Sequence, residues 1–589
     1  MATRKPAVDV VLVGFGLTAS IIAKELTDAD AGLQVLALER GGFRDTVPDF
    51  SVTTIQDELR YAVRHGLFEE PERETLTFRN SIDQRALPMR HLGSFLPASG
   101  TGGAAVHWNG QFWRYEPIDF EIRSQVEQRY GKKFIPEDMT IQDWGVTYDQ
   151  LEPHYDRFEY LCGVSGHAGN IKGVIQEGGN PFEAPRQRGY PNPPLKRSYS
   201  TVLFDKGAHA AGYKPFPCTA AQCSRPYKNI YGVQMGACTY CGFCEWFGCA
   251  NYSKSSPQTM IFPVLLNKSN FSYRTRCDVT RINLDSSGKR ATGVMYVDAQ
   301  GREFEQPAQM VILCAFAQHN VHLMLLSGIG QPYDPVANTG VVGRNYAYQI
   351  MSSVDLFYKD IVNPFMGAGA LGQGINEFNT GNFDHGPHGF IGGGYIAQWT
   401  TGGRPILQHY LPKGTPKWGA GWKKALAENY LKAGEIQCHG SVMSYRDSYL
   451  DLDPTWKDEY GNPLLRMTFD YHKNEHDMSN FLTQKATTVA QAMDLRSYHA
   501  KPRKGHYSIV PYQTTHNTGG AAMGTDPTTS AVNAYLQSWD VPNLFVMGSS
   551  VFPQNPGYNP TGTIGALTYW AADAIKNQYL KHPRPLVQA

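Results

Sequence analysis

The sequence predicts an α/β domain built on a parallel sheet, joined to an α+β domain built on an antiparallel sheet. Residues 8–13 form a short apolar run that ends at a glycine-rich turn and leads into a helical pattern. Between residues 346 and 505 the composition shifts to glycine, aromatic and alternating residues, which is typical of an antiparallel sheet. The chain has 589 residues, too many for one hydrophobic core.

The opening segment has the pattern of a Rossmann-like dinucleotide site. The first strand is rich in β-branched residues, and Gly14, Gly16 and Ala19 follow it as a G-x-G-x-x-A turn. Gly14 permits the tight turn, Gly16 lets a pyrophosphate approach the backbone, and Ala19 keeps helix and strand close. A second apolar strand ends in Glu39, whose carboxylate can accept hydrogen bonds from ribose hydroxyls.

A second run of small residues covers residues 100–110. Gly102 and Gly103 come shortly before His107 and Trp108. Backbone without side chains can pass close to a flat or charged group. The segment is therefore either a further contact to a bound nucleotide or a simple glycine loop at a strand end.

Four cysteines with the spacing C-x2-C-x2-C-x4-C form a cluster: Cys238, Cys241, Cys244 and Cys249. Ferredoxin-type ligands end instead in x3-C-P. Thiolates this close in sequence can converge on one soft metal centre, whereas structural zinc normally uses two separated pairs. The spacing favours an iron–sulfur cluster, of 3Fe–4S type if three cysteines ligate. Zinc, disulfides and free thiols stay open, as do the roles of Cys218 and Cys223.

The remaining pattern alternates between the two domains. We expect helices over 151–161, 320–326 and 559–575, a strand meander over 279–313, and strands at 465–471 and 543–547. We assign residues 1–115, 216–345 and 506–589 to the first domain, with the cysteine cluster at 238–249 as an insertion. Residues 116–215 and 346–505 form the second.

Composition excludes several classes of protein. The net charge is +1, which gives no field that attracts nucleic acid or an acidic membrane. Hydrophobic residues make up 41% and charged residues 18%, as in a globular protein. Ten cysteines in so large a chain do not indicate a disulfide scaffold. The first strand begins at Val8, which leaves no room for a signal peptide, so the chain alone is expected to be cytoplasmic and soluble.

Six motifs in order resemble those of the glucose–methanol–choline (GMC) oxidoreductases, FAD enzymes that oxidise alcohols. They are the N-terminal fingerprint, the Gly102-Gly103 loop, residues 325–330, residues 340–345, the H-x-x-G-G-x-x-M-G run at 516–524, and Asn559-Pro560-Thr561 before the last helix. The cysteine cluster makes the chain most similar to the flavoprotein subunits of membrane-bound bacterial sugar and sugar-acid dehydrogenases, above all gluconate 2-dehydrogenases. The cysteine spacing departs from that of fructose and glucose dehydrogenases, and Gly548 stands where many members have an acid.

The resemblance implies an active site as well as a fold. His516 matches the family's catalytic base, and Asn559 matches a second position that holds the substrate oxygen, although it can also serve as a helix N-cap. We expect a strand directly before His516, and we expect the positive end of the last helix to help keep its imidazole neutral. His107 matches a position that in some relatives tethers the flavin covalently; the alternative is a histidine packed near the flavin. The other residues expected to bind FAD are Gly14, Gly16, Ala19, Glu39, Gly102, Gly103, Val279, Gly548, Pro560 and Thr561.

The same resemblance implies oxidation of D-gluconate to 2-dehydro-D-gluconate by hydride transfer to flavin N5. 2-Ketogluconate, sorbitol, fructose and glucose are alternative substrates, and Arg404 and Arg446 are candidates for holding a carboxylate. Electrons are expected to leave through the iron–sulfur cluster to a membrane-bound cytochrome c subunit. A small partner with a twin-arginine signal would bring the complex to the periplasmic face of the inner membrane.

Two other classes of function stay open. A lyase on the same fold would use FAD structurally, but it has no electrons to export through a cysteine cluster. A zinc-stabilised scaffold with a vestigial nucleotide fold would not need His516 and Asn559.

Overall fold

The computed structural model describes residues 2–51, 57–90, 93–400, 406 and 410–586. Its α-helices are Leu17–Ala29, Thr46–Asp49, Pro117–Phe120, Ile122–Tyr130, Tyr148–Cys162, Tyr199–Ala210, Pro257–Met260, Phe262–Leu265, Ala317–Leu326, Gly419–Asn429, Lys473–Ala492 and Thr561–Ala574. Within these ranges, we find no helix that combines the length and the apolar character needed to span a bilayer.

The first sheet has the predicted parallel core. Its main path runs Phe271–Arg274, Val35–Leu38, Val8–Val13, Glu303–Leu313, Ala291–Asp298 and Cys277–Leu284, and Thr3–Arg4 and Leu544–Val546 pair with the fourth of these strands. The first four strands and Leu544–Val546 run parallel, whereas the last two form the predicted antiparallel meander. The α/β class and the parallel sheet are confirmed.

The parallel strands end at one edge of this sheet. Gly14 donates to the Leu38 carbonyl at 2.7 Å, and Cys314 donates to the Val13 carbonyl at 2.8 Å. Met547 likewise donates to the Leu313 carbonyl at 2.8 Å. The loops that follow neighbouring strands therefore start side by side, which is where open α/β sheets bind ligands.

The second sheet is antiparallel, as predicted. Its order is Leu495–Lys501, Ile350–Tyr358, Ala433–Gly440, Gly394–Trp399, Gly372–Ile375 and Phe216–Pro217. Helix Lys473–Ala492 packs on one face, where the Cys438 thiol donates to the Leu482 carbonyl. Because side chains alternate along a strand, the neighbours Gln437 and His439 point to the opposite face.

Smaller elements complete the chain. A four-stranded sheet has the order Tyr449–Lys457, Pro463–Thr468, Thr77–Arg79 and Leu87–Pro88. Two short hairpins pair Asn170–Ile171 with Val174–Ile175, and Tyr227–Lys228 with Gln234–Met235. Single 3₁₀ or π turns occur at Leu59–Val63, Gly103–Val106, Lys132–Phe134, Gly386–His388, Tyr430–Lys432, Ser549–Val551 and Ile575–Tyr579.

Predicted elements are found with shifted ends. The helix expected over 151–161 starts at Tyr148, because Thr147 and Gln150 form a capping box that adds a turn. The last helix starts at Thr561 rather than Asn559. Our interpretation of a strand directly before His516 is wrong: residues 512–517 have no regular secondary structure, and pairing resumes at Thr518 with Ala347.

Candidate active site

One cavity of about 1790 Å³ runs from the glycine turn at the edge of the first sheet to the polar face of the second. The predicted residues that line it are Gly14, Gly16, Glu39, Gly103, His107, Val279, His516, Gly548, Asn559, Pro560 and Thr561. Ala19 is fully buried behind the turn, and Gly102 packs against Gln258. The sequence therefore brings both ends of the predicted FAD and substrate site into one space.

The glycine turn leaves its backbone open to the cavity. Gly14 has φ +93°, and a Cβ there would lie 2.6 Å from the Cys314 carbonyl oxygen, so only glycine fits. A Cβ on Gly16 would lie 3.7 Å from the Cα of Gly103. The two small-residue loops therefore meet at this point, and a branched side chain on Gly16 would occupy the space where a pyrophosphate has to approach.

Glu39 ties three loops together at the same end. Its carboxylate accepts hydrogen bonds from the backbone N–H of Phe15 at 2.9 Å, of Gly41 at 2.8 Å and of Gly100 at 3.1 Å. A carboxylate offers about four acceptor positions. It can therefore hold the turns in place and still accept from a ribose hydroxyl.

His107 supports the fit of a flavin in the cavity, whose wall it lines. Its Nε2 is buried, and we find no hydrogen-bond partner for it among the described residues. Burial, together with the positive charges of Lys254 and Arg44, lowers the pKa of His107 to about 3. A neutral ring nitrogen on the cavity wall suits both a packed histidine and a covalent tether, which stays a prediction.

His516 is held in one tautomer. Gln349 donates from its Nε2 to the Gly557 carbonyl, so its Oε1 faces His516 and accepts from Nδ1–H at 2.7 Å. The lone pair then lies on Nε2, which is 3.2 Å from the Asn559 Nδ2. Burial lowers the pKa of His516 to about 3, so the ring is neutral near pH 7. We expected the nearby helix end to help keep the ring neutral, but the cause of the lowered pKa is burial.

Asn559 faces the same space from the other side. Its Oδ1 accepts from the Tyr395 hydroxyl at 2.7 Å, which leaves Nδ2 to donate toward His516. Pro560 occupies the N-cap position of the last helix, so Asn559 is not its N-cap. The side chain is therefore available to a substrate oxygen.

His439 completes what we call the catalytic network: His516, Asn559, Gln349, His439 and Tyr395. The His439 Nε2 lies 3.1 Å from the Gln437 Oε1, its Nδ1 lies 3.3 Å from the Gln349 Oε1, and its ring stacks on Tyr395 with centroids 4.6 Å apart. Burial holds the pKa of His439 well below its ordinary value. The network is thus a set of neutral donors and acceptors around one basic nitrogen.

Sequence reasoning missed three members of this network, Gln349, His439 and Tyr395. One signal was present: Glu435, Gln437 and His439 alternate along one strand, which marks a polar face in a buried sheet.

Of the two residues considered for holding a carboxylate, Arg446 lies away from the cavity. Arg446 donates to the carbonyls of Pro335 and Val336 at 3.2 and 3.0 Å and does not line the cavity. Arg446 lies in a turn outside the second sheet, whose polar face lines the cavity. Arg404 lies outside the described residues.

The four clustered cysteines line one small cavity of about 160 Å³, which we call the cysteine cavity. Each thiol lies near a backbone N–H: that of Tyr240 for Cys238, Phe243 for Cys241, Gly369 for Cys244 and Lys254 for Cys249. Tyr240 and Trp246 have positive φ angles of 57° and 78°, which side chains rarely adopt. The segment is therefore folded so that amides point at sulfur atoms, as in thiolate metal centres.

The thiols surround the cavity rather than converge on one point. Among the described residues, no group of three or more His, Cys, Asp or Glu side chains is arranged to hold a single metal ion. Burial raises the pKa of the Cys244 thiol to about 12 and that of Cys241 above its ordinary value. None of the ten cysteines forms a disulfide, and Cys218 and Cys223 are buried outside this cavity.

Lys254 separates the two cavities. Its buried ammonium donates to the carbonyls of Trp108, Cys244 and Phe247 at 2.5–2.7 Å. Trp108 lines the large cavity, and Cys244 and Lys254 line the small one. The Trp246 N–H also donates to the His107 carbonyl at 2.7 Å. Residues 107–108, on the wall of the predicted flavin site, are therefore hydrogen-bonded to the segment that carries the cysteines. The spacing of the motifs could not reveal this contact.

Comparisons with known proteins agree with this architecture. Two family models described as GMC oxidoreductase match residues 220–351 and 444–568. The chain is 51% identical to the gluconate 2-dehydrogenase flavoprotein of Pantoea cypripedii, over 100% of this chain and 97% of that protein. It is 24% identical to the fructose dehydrogenase large subunit of Gluconobacter japonicus, over 98% and 99% of the two chains. Pyridoxine 4-oxidase from Mesorbium loti superposes with a TM-score of 0.60 at 15% identity, over 98% of this chain and 100% of that one, and supports the fold alone.

Proposed function

We propose that this chain, which belongs to the GMC oxidoreductase family and is an FAD-dependent oxidoreductase acting on CH–OH groups, oxidises D-gluconate at C2 to 2-dehydro-D-gluconate. The full-length identity of 51% to a gluconate 2-dehydrogenase flavoprotein supports this substrate. The observation that carries the chemistry is the neutral His516 Nε2 beside Asn559 at one end of the large cavity.

FAD, when bound, supplies the hydride acceptor. The residues that would hold it are the glycine turn at Gly14 and Gly16, Glu39 at the adenosine end, and His107, Gly548 and Thr561 along the cavity. The start of helix Thr561–Ala574 lines the same space and contributes positive potential.

The chain's own residues accept the proton of the substrate hydroxyl and orient the substrate. His516 Nε2 accepts the hydroxyl proton while the carbon–hydrogen bond breaks, a role that typically contributes about 10²–10⁴-fold. Gln349 keeps the opposite nitrogen protonated and so fixes the base in the reactive tautomer. Asn559 Nδ2 donates to the substrate oxygen, and Tyr395 holds that amide in place.

We propose that Cys238, Cys241, Cys244 and Cys249 include the ligands of an iron–sulfur cluster of 3Fe–4S type. The amides aimed at all four thiols and the buried Lys254 charge support an anionic thiolate centre. A zinc ion with sulfur at about 2.3 Å would need the thiols to converge, whereas a cluster fills a wider cavity. Such a cluster supplies one-electron transfer to an external acceptor.

By family resemblance, that acceptor is a membrane-bound cytochrome c subunit. A small partner with a twin-arginine signal would accompany the chain to the periplasmic face of the inner membrane. The proximity of the two cavities across Lys254 and Trp108 supports an exit for electrons on the cysteine side.

A visible spectrum of the purified protein tests the function. We expect flavin bands that bleach when D-gluconate is added without oxygen, a broad iron–sulfur shoulder, and 2-dehydro-D-gluconate as product. Flavin that sorbitol bleaches and gluconate does not would contradict the substrate. Zinc without iron in metal analysis would contradict the cluster and leave the flavin chemistry intact.

A further inference from the structure

We propose that Arg503 binds the carboxylate of the substrate and thereby selects sugar acids over neutral sugars. This inference rests on the proposed function. Because the oxidised carbon of gluconate is bonded to its carboxylate carbon, the cation that holds the carboxylate has to share a chamber with His516. Arg503 lines the same cavity as His516.

The sheet register places Arg503 on the catalytic side. Lys501 pairs with Ser353 on the neighbouring strand, so Arg503, two residues further, lies beside Met351, and its Nε donates to the Met351 carbonyl at 3.3 Å. Met351 pairs with His439, and His439 pairs with Tyr395. These four residues form one row across the sheet, in which neighbouring strands are about 4.8 Å apart.

A second set of contacts ties Arg503 to the base. Its Nη2 donates to the Gln513 Oε1, which also accepts from the Tyr471 hydroxyl at 3.1 Å. The Tyr471 hydroxyl lies 3.0 Å from the backbone carbonyl of Gln349, whose side chain holds His516. The guanidinium is therefore fixed within the framework that positions the catalytic nitrogen.

Arg503 has the charge and the donors for an external carboxylate. A guanidinium carries five N–H donors, and Arg503 uses two of them in the contacts above. Within the described part of the chain, no carboxylate forms an ion pair with it. Lys501, by contrast, is paired with Asp355 at 2.6 Å. The remaining donors match the planar fork of a carboxylate.

The surrounding side chains suit the rest of a sugar acid. Ser353 and Gln437 also line the cavity and pair with each other in the next row of the sheet, two residues along from Met351 and His439. The Gln437 side chain is oriented by its bond to Glu435 at 2.6 Å. Hydroxyls of a polyol can bond to such donors and acceptors. A substrate carboxylate would be repelled near Glu435 and attracted at Arg503.

The test compares anaerobic flavin reduction by D-gluconate in the wild type, Arg503→Gln, Arg503→Lys and the control Lys504→Gln. Lys504 is exposed at the rim of the same cavity. We expect Arg503→Gln to raise the half-saturating gluconate concentration by roughly 10- to 100-fold, since a charge-assisted pair is lost, with flavin content and limiting rate nearly unchanged. Arg503→Lys should recover part of the loss, and Lys504→Gln should behave as the wild type.

An Arg503→Gln enzyme that saturates at the wild-type concentration would overturn the assignment, as would an equal loss in Lys504→Gln. If gluconate fails to reduce the wild-type flavin at all, the proposed function falls and this inference falls with it. If gluconate reduces the wild type normally, only the role of Arg503 is at stake.

Discussion

The catalytic network and the cysteine cavity differ in whether their side chains contact one another directly. Around His516, side chains satisfy one another directly, with Gln349 at 2.7 Å and Asn559 at 3.2 Å. Around the cysteines, backbone amides point at the thiols, and the thiols surround about 160 Å³ without meeting. Folding alone can hold a polar network in its working arrangement. Thiolates that bind a metal, by contrast, reach their final geometry only together with the metal.

The largest effect is expected from removing the proposed base, His516. His516→Ala should lower the rate of flavin reduction by gluconate by roughly 10²–10⁴-fold, with normal flavin content, because the hydroxyl proton loses its acceptor. Asn559→Ala should act on the same oxygen, so the double variant should lose less than the two single losses combined. Fully additive losses in stopped-flow reduction would show that the two residues act separately.

A smaller effect is expected from the residue that sets the tautomer. Gln349→Leu removes the acceptor of His516 Nδ1–H, so a fraction of the enzyme would carry its proton on Nε2 and lack a base. We expect a loss of roughly 10- to 100-fold in limiting reduction rate, which is smaller than the effect of about 10²–10⁴-fold of a general base because part of the enzyme keeps the reactive tautomer. Gln349→Glu keeps an acceptor oxygen and should recover much of the rate. Equal rates in the two variants would argue against control of the tautomer.

Substitutions in the cysteine cavity should slow electron transfer to the acceptor and leave flavin reduction unchanged. Cys244→Ser should remove most of the iron and slow transfer to an external acceptor, while gluconate still reduces the flavin at the wild-type rate. Cys218→Ser is the matched control, because Cys218 is equally buried but lies outside the cavity. Iron retained in Cys244→Ser, or lost equally in Cys218→Ser, would contradict the ligand assignment.

The sequence was informative wherever function depends on local spacing. The strand–glycine–helix unit places Gly14 and Gly16 at the sheet edge because neighbouring residues determine that turn. The second sheet could be recognised only as a class. Gln349, His439 and Arg503 reach the site through the register of strands far apart in the chain, and no single-sequence pattern fixes that register. For the same reason, the sequence could not show that Arg503 lines the cavity and Arg446 does not.

The pH dependence of flavin reduction tests the central claim, that neutral His516 accepts the substrate proton. Burial lowers the pKa of His516 from its ordinary 6.5 to about 3, so the base is competent above that value and is lost only as pH falls through it. The wild type should therefore be reduced by gluconate at a nearly constant rate from about pH 5 to 8. The His516→Ala enzyme should be slow and should speed up as pH rises, because deprotonation must then come from solvent. A His516→Ala enzyme with wild-type rates and the same pH dependence would contradict the account.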